Sequence, residues 1–143
     1  MMNIAQPQHD AKHDILSLIL WLGTVSWMIF MTIILLQPEN QPIVNTGIPP
    51  APPSFKRELF FSSIHLIFFG FTAGLWGYTL RQHLQLKQAL LLASILIIGY
   101  GVLTEILQGR TPGRSPQLID LIANTLGVMI GVFVCRWTIM RNK

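Results

Sequence analysis

Four long apolar runs, each about one bilayer thickness in helical form, constrain this chain more than any other feature. They are Ile15–Leu36, Leu59–Leu80, Ala89–Leu107 and Leu118–Ile139. A spanning helix needs about 20 apolar residues at a rise of about 1.5 Å each. The first run carries no acidic or basic side chain, and the second carries only His65. The third has Glu105 near its end, and the fourth has Asp120 near its start and Arg136 near its far end. Backbone groups in lipid must bond within their own segment, so each run is expected to be a helix. A barrel would need alternating short strands, and these runs do not alternate. The expected fold is therefore an all-α membrane protein, four transmembrane helices packed as a bundle with both termini on one side.

The chain has 143 residues, enough for a single domain over 1–143. Charged residues make up 11% of it, against about 25% in a typical soluble domain. The first apolar run is longer than a signal-peptide core, and no small-x-small cleavage site follows it, so it reads as a retained span. Residues 1–14 read as a short polar tail. Residues 37–58 hold six prolines, including Pro49-Pro50 and Pro52-Pro53, which predicts an extended surface segment. The connections 81–88 and 108–117 are short and polar. A single cysteine, Cys135, rules out an intrachain disulfide and reads as a small apolar filler.

With four spans, Lys12, Arg81, Lys87, Arg136, Arg141 and Lys143 fall on the side of the termini. Lys56, Arg57, Arg110 and Arg114 fall on the other. Six basic residues against four favour cytoplasmic termini and an outward 108–117 loop. No basic stripe with interleaved aromatics occurs, so no nucleic-acid partner is expected.

Small residues recur at helical spacing in two spans: Gly70, Ala73, Gly74 and Gly77 in the second, Gly127 and Gly131 in the fourth. Such stripes let helices approach closely. Packing within the chain is their main reading; a homo-oligomer or partner helices held through Gly127 and Gly131 is the alternative. The Trp and Phe residues read as mostly lipid-facing or belt residues.

The segment from Leu103 to Gly131 carries the chemistry. Glu105 and Gln108 share a helix face. Ser115 is placed to cap the fourth helix, with Pro116 at its first position. Asp120, Asn124, Gly127 and Gly131 then recur on one face. The short loop can bring Glu105, Gln108, Arg110, Arg114, Asp120 and Asn124 together at one membrane interface. Ionisable groups at membrane depth are costly, and by default they mark function. One alternative is structural: Arg114 clasps Glu105 and Asp120 and fixes the hairpin. The helix dipole also favours Asp120 at its N-terminal position. His65, about two turns into the second span, could bond either carboxylate. Glu105, Asp120 and His65 are thus the candidate catalytic residues, and Arg114, Arg110, Gln108 and Asn124 the candidate ligand-binding ones. No HExxH, paired cysteines, GxSxG or phosphate-cradling loop is present. No metal or cofactor is expected, since His65, Glu105 and Asp120 lack a metal-motif spacing.

The order Glu105-x-x-Gln108, Pro112-Gly113-Arg114, Asp120-x-x-x-Asn124-Thr125-x-Gly127 resembles the VanZ-like family of membrane proteins. His65 followed by Phe68 and Phe69 looks like a second element of that family. A lysine that often stands three residues before that histidine is Ser62 here. The resemblance implies a bacterial inner-membrane protein of the cell envelope. It also implies a link to low-level antibiotic resistance toward the glycopeptide teicoplanin, although many members occur without any resistance cluster.

The leading expectation is an outward polar site for an anionic headgroup or a lipid-linked glycan, with membrane lipids or that glycan as partners. Arg114 and Arg110 would contact the anion. Two rivals stand beside it: an intramembrane enzyme modifying a lipid-linked envelope substrate, and a helix-packing subunit of a membrane complex. A transporter is weaker, because no span is broken.

Overall fold

The computed structural model describes residues 11–38 and 55–142. The proline-rich expectation for 37–58 and the polar tail fall almost wholly outside them. Every regular element among the described residues is an α-helix: α1 (Ala11–Leu36), α2 (Phe55–Arg81), α3 (Leu86–Gln108) and α4 (Leu118–Arg141). Each expected span lies inside one helix, and all four are long and apolar enough to cross a membrane. The chain is a multi-pass membrane protein. The helices overrun the apolar runs at several ends because polar residues such as Lys56, Glu58 and Arg141 continue the helical turn beyond the hydrocarbon.

Large apolar side chains point outward along every helix, as in Leu18, Leu22 and Ile29 of α1, Ile95 of α3, and Met129 and Phe133 of α4. Lipid tails are as apolar as these side chains, so burial alone does not hold the bundle. The interior is instead small or polar. Its apolar centre is Met31, Phe69, Ala73, Ile97 and Val128. Phe69 is fully buried, and the half-buried Trp27 and Trp76 pack against this centre, so these three are exceptions to the mostly lipid-facing or belt reading, which exposed Phe30, Phe71, Phe133 and Trp137 fit. Sequence periodicity within one helix does not show which face a neighbouring helix covers.

α2 and α4 form the most extensive helix pair. A Cβ added at Gly131 would overlap the Gly70 carbonyl oxygen, and one at Gly127 would overlap that of Leu66. Further along the pair, Cys135 packs against Gly77. The two small-residue stripes are therefore halves of one contact inside the chain. Gly127 and Gly131 are buried against α2.

α1 packs on α2 and α3 and stays off α4. Polar side chains tie it down along its length. Ser17 Oγ and the Trp21 indole both reach His83 Nε2 at 3.1 Å. Thr24 meets Thr79 at 2.8 Å, Trp27 donates to Thr72 at 2.8 Å, and Thr32 meets Tyr100 at 2.9 Å.

Candidate functional site

The end of the bundle opposite the α2–α3 turn gathers the ionisable residues. α2 supplies Ser62 and His65, α3 supplies Glu105 and Gln108, and α4 supplies Asp120 and Asn124. All six are at least nine-tenths buried. They share one level because α3 and α4 are joined by a short turn, while α2 runs close beside α4. Gly113, at φ 79°, takes a left-handed conformation in that turn that favours glycine.

His65 Nδ1 stands 3.0 Å from Asn124 Oδ1 and 3.9 Å from Glu105 Oε1. Its ring stacks on Phe69, with 8° between the planes. The other Glu105 oxygen, Oε2, accepts the backbone N–H of Gln117 at 3.1 Å. Ser62 Oγ donates to Asp120 Oδ1 at 2.5 Å. Each carboxylate thus has one oxygen held by a hydrogen bond, from the Gln117 backbone or from Ser62. One ligand-type atom from each of His65, Glu105 and Asp120 falls within 4.8 Å of the others. At that separation two ionised carboxylates repel by about 3–4 kcal/mol at an effective dielectric of about 20.

Not every polar atom is satisfied. Glu105 Oε1, Asn124 Nδ2 and Arg114 Nε are buried atoms with no hydrogen-bond partner among the described residues. Leaving such an atom unmet costs about 1–3 kcal/mol, and more when it is charged. Buried polar groups are nearly always paired, so three such atoms at one end of the bundle, beside Trp76 Nε1 elsewhere, call for a physical explanation.

The structure departs from the sequence reading at three points. Arg114 makes no ion pair with Glu105 or Asp120, so the clasp is not formed. Arg114 lies half-buried in the loop. Ser115 and Pro116 do not start α4; they lead extended into Gln117, the N-cap. Glu105 already takes the Gln117 N–H, so the hairpin supplies the acceptor that Ser115 was expected to provide. Gln108 turns away from the cluster, and its amide donates to the Leu35 carbonyl at 3.0 Å. That carbonyl is one of the unpaired groups at the end of α1. Arg110 is exposed on the same loop.

Sequence comparison matches residues 8–141 to the VanZ/LLP1 family. The chain belongs to the VanZ/LLP1 family. No curated protein and no solved structure gives a significant match. The match takes in every helix and every residue of the polar cluster, and membership fits a membrane protein of the cell envelope.

In this VanZ/LLP1 chain three further residues contribute to the site, and none of them was among the expected site residues. Ser62, where the family often has lysine, is the residue that anchors Asp120. Phe69 is the wall behind His65. Gly101 lets α3 approach: a Cβ there would meet Phe69 Cε1 at 3.0 Å and Asn124 Nδ2 at 3.4 Å. Only the aromatic after the histidine carried a signal. A glycine in an apolar helix gives no hint of what it faces.

Proposed function

We propose that this VanZ/LLP1 protein is a bacterial cell-envelope membrane protein whose outward end receives the anionic headgroup of a membrane lipid or lipid-linked glycan. The observation that carries this reading is Arg114. Its Nε is buried and unpartnered, and its guanidinium pairs with neither nearby carboxylate. An arginine left free of acids beside a membrane interface is suited to hold phosphate or carboxylate through two parallel hydrogen bonds. Arg110, exposed on the same short turn, adds positive charge at the entrance. The bias of basic residues toward the opposite end of the bundle supports an outward-facing site and cytoplasmic termini.

The test is native mass spectrometry of the protein in mild detergent, wild type beside Arg114→Ala. Wild type is expected to carry a defined lipid or glycolipid adduct that a folded Arg114→Ala protein loses. The same adduct on both, or on neither, overturns the headgroup reading.

A second reading, an enzyme acting on the lipid-linked substrate, draws on the nearness of His65 to two carboxylates. Such a set can give and take protons at a bound ester or phosphate. It expects Glu105→Gln and Asp120→Asn to abolish turnover while the adduct of the first experiment persists. Loss of the adduct in both would instead make the carboxylates binding residues.

A further inference from the structure

Two buried carboxylates and an imidazole come together, and among the described residues no lysine or arginine pairs with either carboxylate. Arg114 is the nearest candidate, and it pairs with neither carboxylate. The atoms are nevertheless arranged as a ligand set. Glu105 is held by Oε2 on the Gln117 N–H, which leaves Oε1 buried, unpartnered and 3.9 Å from His65 Nδ1. Asp120 is held by Ser62 through Oδ1. Outer hydrogen bonds of this kind orient metal-binding carboxylates in known sites. Asn124 Oδ1 accepts the His65 Nδ1–H at 3.0 Å, an outer hydrogen bond that leaves Nε2 as the ring nitrogen free to bind a metal.

The geometry assigns His65, Glu105 and Asp120 as the ligands of a single divalent cation. One ligand-type atom of each already lies within 4.8 Å of the others, and the three residues come from three helices. An ion at about 2.0–2.2 Å from nitrogen and oxygen ligands requires only that these side chains close inward by rotation. One imidazole with two carboxylates, and no sulfur, suits zinc or manganese rather than a thiolate-seeking metal. Three protein ligands leave further coordination positions open, as at metal sites that also bind a substrate oxygen. The ion neutralises the two carboxylates, and the Arg114 charge is left over for an anion beside it. The cation site rests on the three side chains and does not need the headgroup reading, which rests on Arg114.

The test uses full-length protein purified in mild detergent, stripped with EDTA, desalted and titrated with Mn2+ or Zn2+ in the absence of added lipid. Bound metal is read by elemental mass spectrometry, and bound Mn2+ also by its paramagnetic resonance spectrum. Wild type is expected to bind one ion per chain and to show a rise in Tm on binding. Glu105→Gln and Asp120→Asn keep size and polarity, and each is expected to lose the ion. Ser62→Ala, which removes only the outer hydrogen bond, is expected to weaken binding by about 10- to 100-fold. Arg114→Ala is expected to keep one ion per chain, with affinity equal to wild type or higher because a nearby positive charge is gone, which separates this site from the headgroup reading. Helical circular dichroism identifies any variant that fails to fold, and His65→Gln then serves in its place. The assignment is overturned if the stripped wild type binds neither ion. It is equally overturned if metal binding survives in the folded ligand variants, whatever its stoichiometry.

Discussion

The α2–α4 contact and the seat of α1 hold helices together by opposite means. Between α2 and α4, side chains have been removed at the closest points and backbones meet directly, as at Gly70, Gly127 and Gly131. Around α1, side chains have been kept and linked by hydrogen bonds, through Ser17, Trp21, Thr24, Trp27 and Thr32. The first contact depends on shape and tolerates no added atom. The second is a series of separable links, each worth little in a bilayer, where unfolded helices also find polar partners. The site lies on the shape-dependent side. His65 and Asn124 come from the close-packed pair, and their positions follow from where the glycines let the backbones settle.

Gly131→Leu should break this comparison most visibly. Its first side-chain atom would overlap the Gly70 carbonyl, which is backbone and cannot rotate away. The expected loss of stability exceeds about 3 kcal/mol, read as loss of folded protein or a large fall in Tm in detergent. A fall no greater than that of a surface substitution would show that α2 and α4 are not packed this way. A Thr24→Val, Thr79→Val double-mutant cycle should give a coupling of about 0.6 kcal/mol and no more than about 1.7. A coupling well above that would make α1 as firmly seated as α4. Gly99→Ala provides the floor, since a Cβ there meets nothing within 4 Å. It should leave Tm unchanged or raise it slightly, because alanine favours the helix over glycine. A clear drop would mean that this face is covered in the folded assembly.

The helices were readable because lipid imposes length and composition on every span, and Ile15–Leu36 can hardly be anything else. The glycine stripes were readable because small residues at helical spacing have few other uses in an apolar run. The meeting of Glu105 with Asp120 and Asn124 was readable because a short loop leaves the two helix ends nowhere else to go. What periodicity could not supply is the rotation of each helix about its own axis. That rotation decides that Gln108 reaches Leu35 and not the cluster, and that Arg114 stands apart from the acids. It also decides that Ser62 faces Asp120. The error at Ser115 has a related cause: a local capping rule was applied where a distant carboxylate had already filled the role.

The partner that α2 grips most closely is the last of the four helices to be made. During synthesis α2 can meet α1 and then α3, yet Gly70 waits for Gly131, and His65 for Asn124. The polar cluster is therefore absent from every shorter nascent chain and forms only when α4 enters the membrane and docks. Until that moment His65 and Glu105 are buried-type residues without their final company. Anything that shields such side chains in the newly inserted chain acts on this protein late, at the docking of its fourth helix.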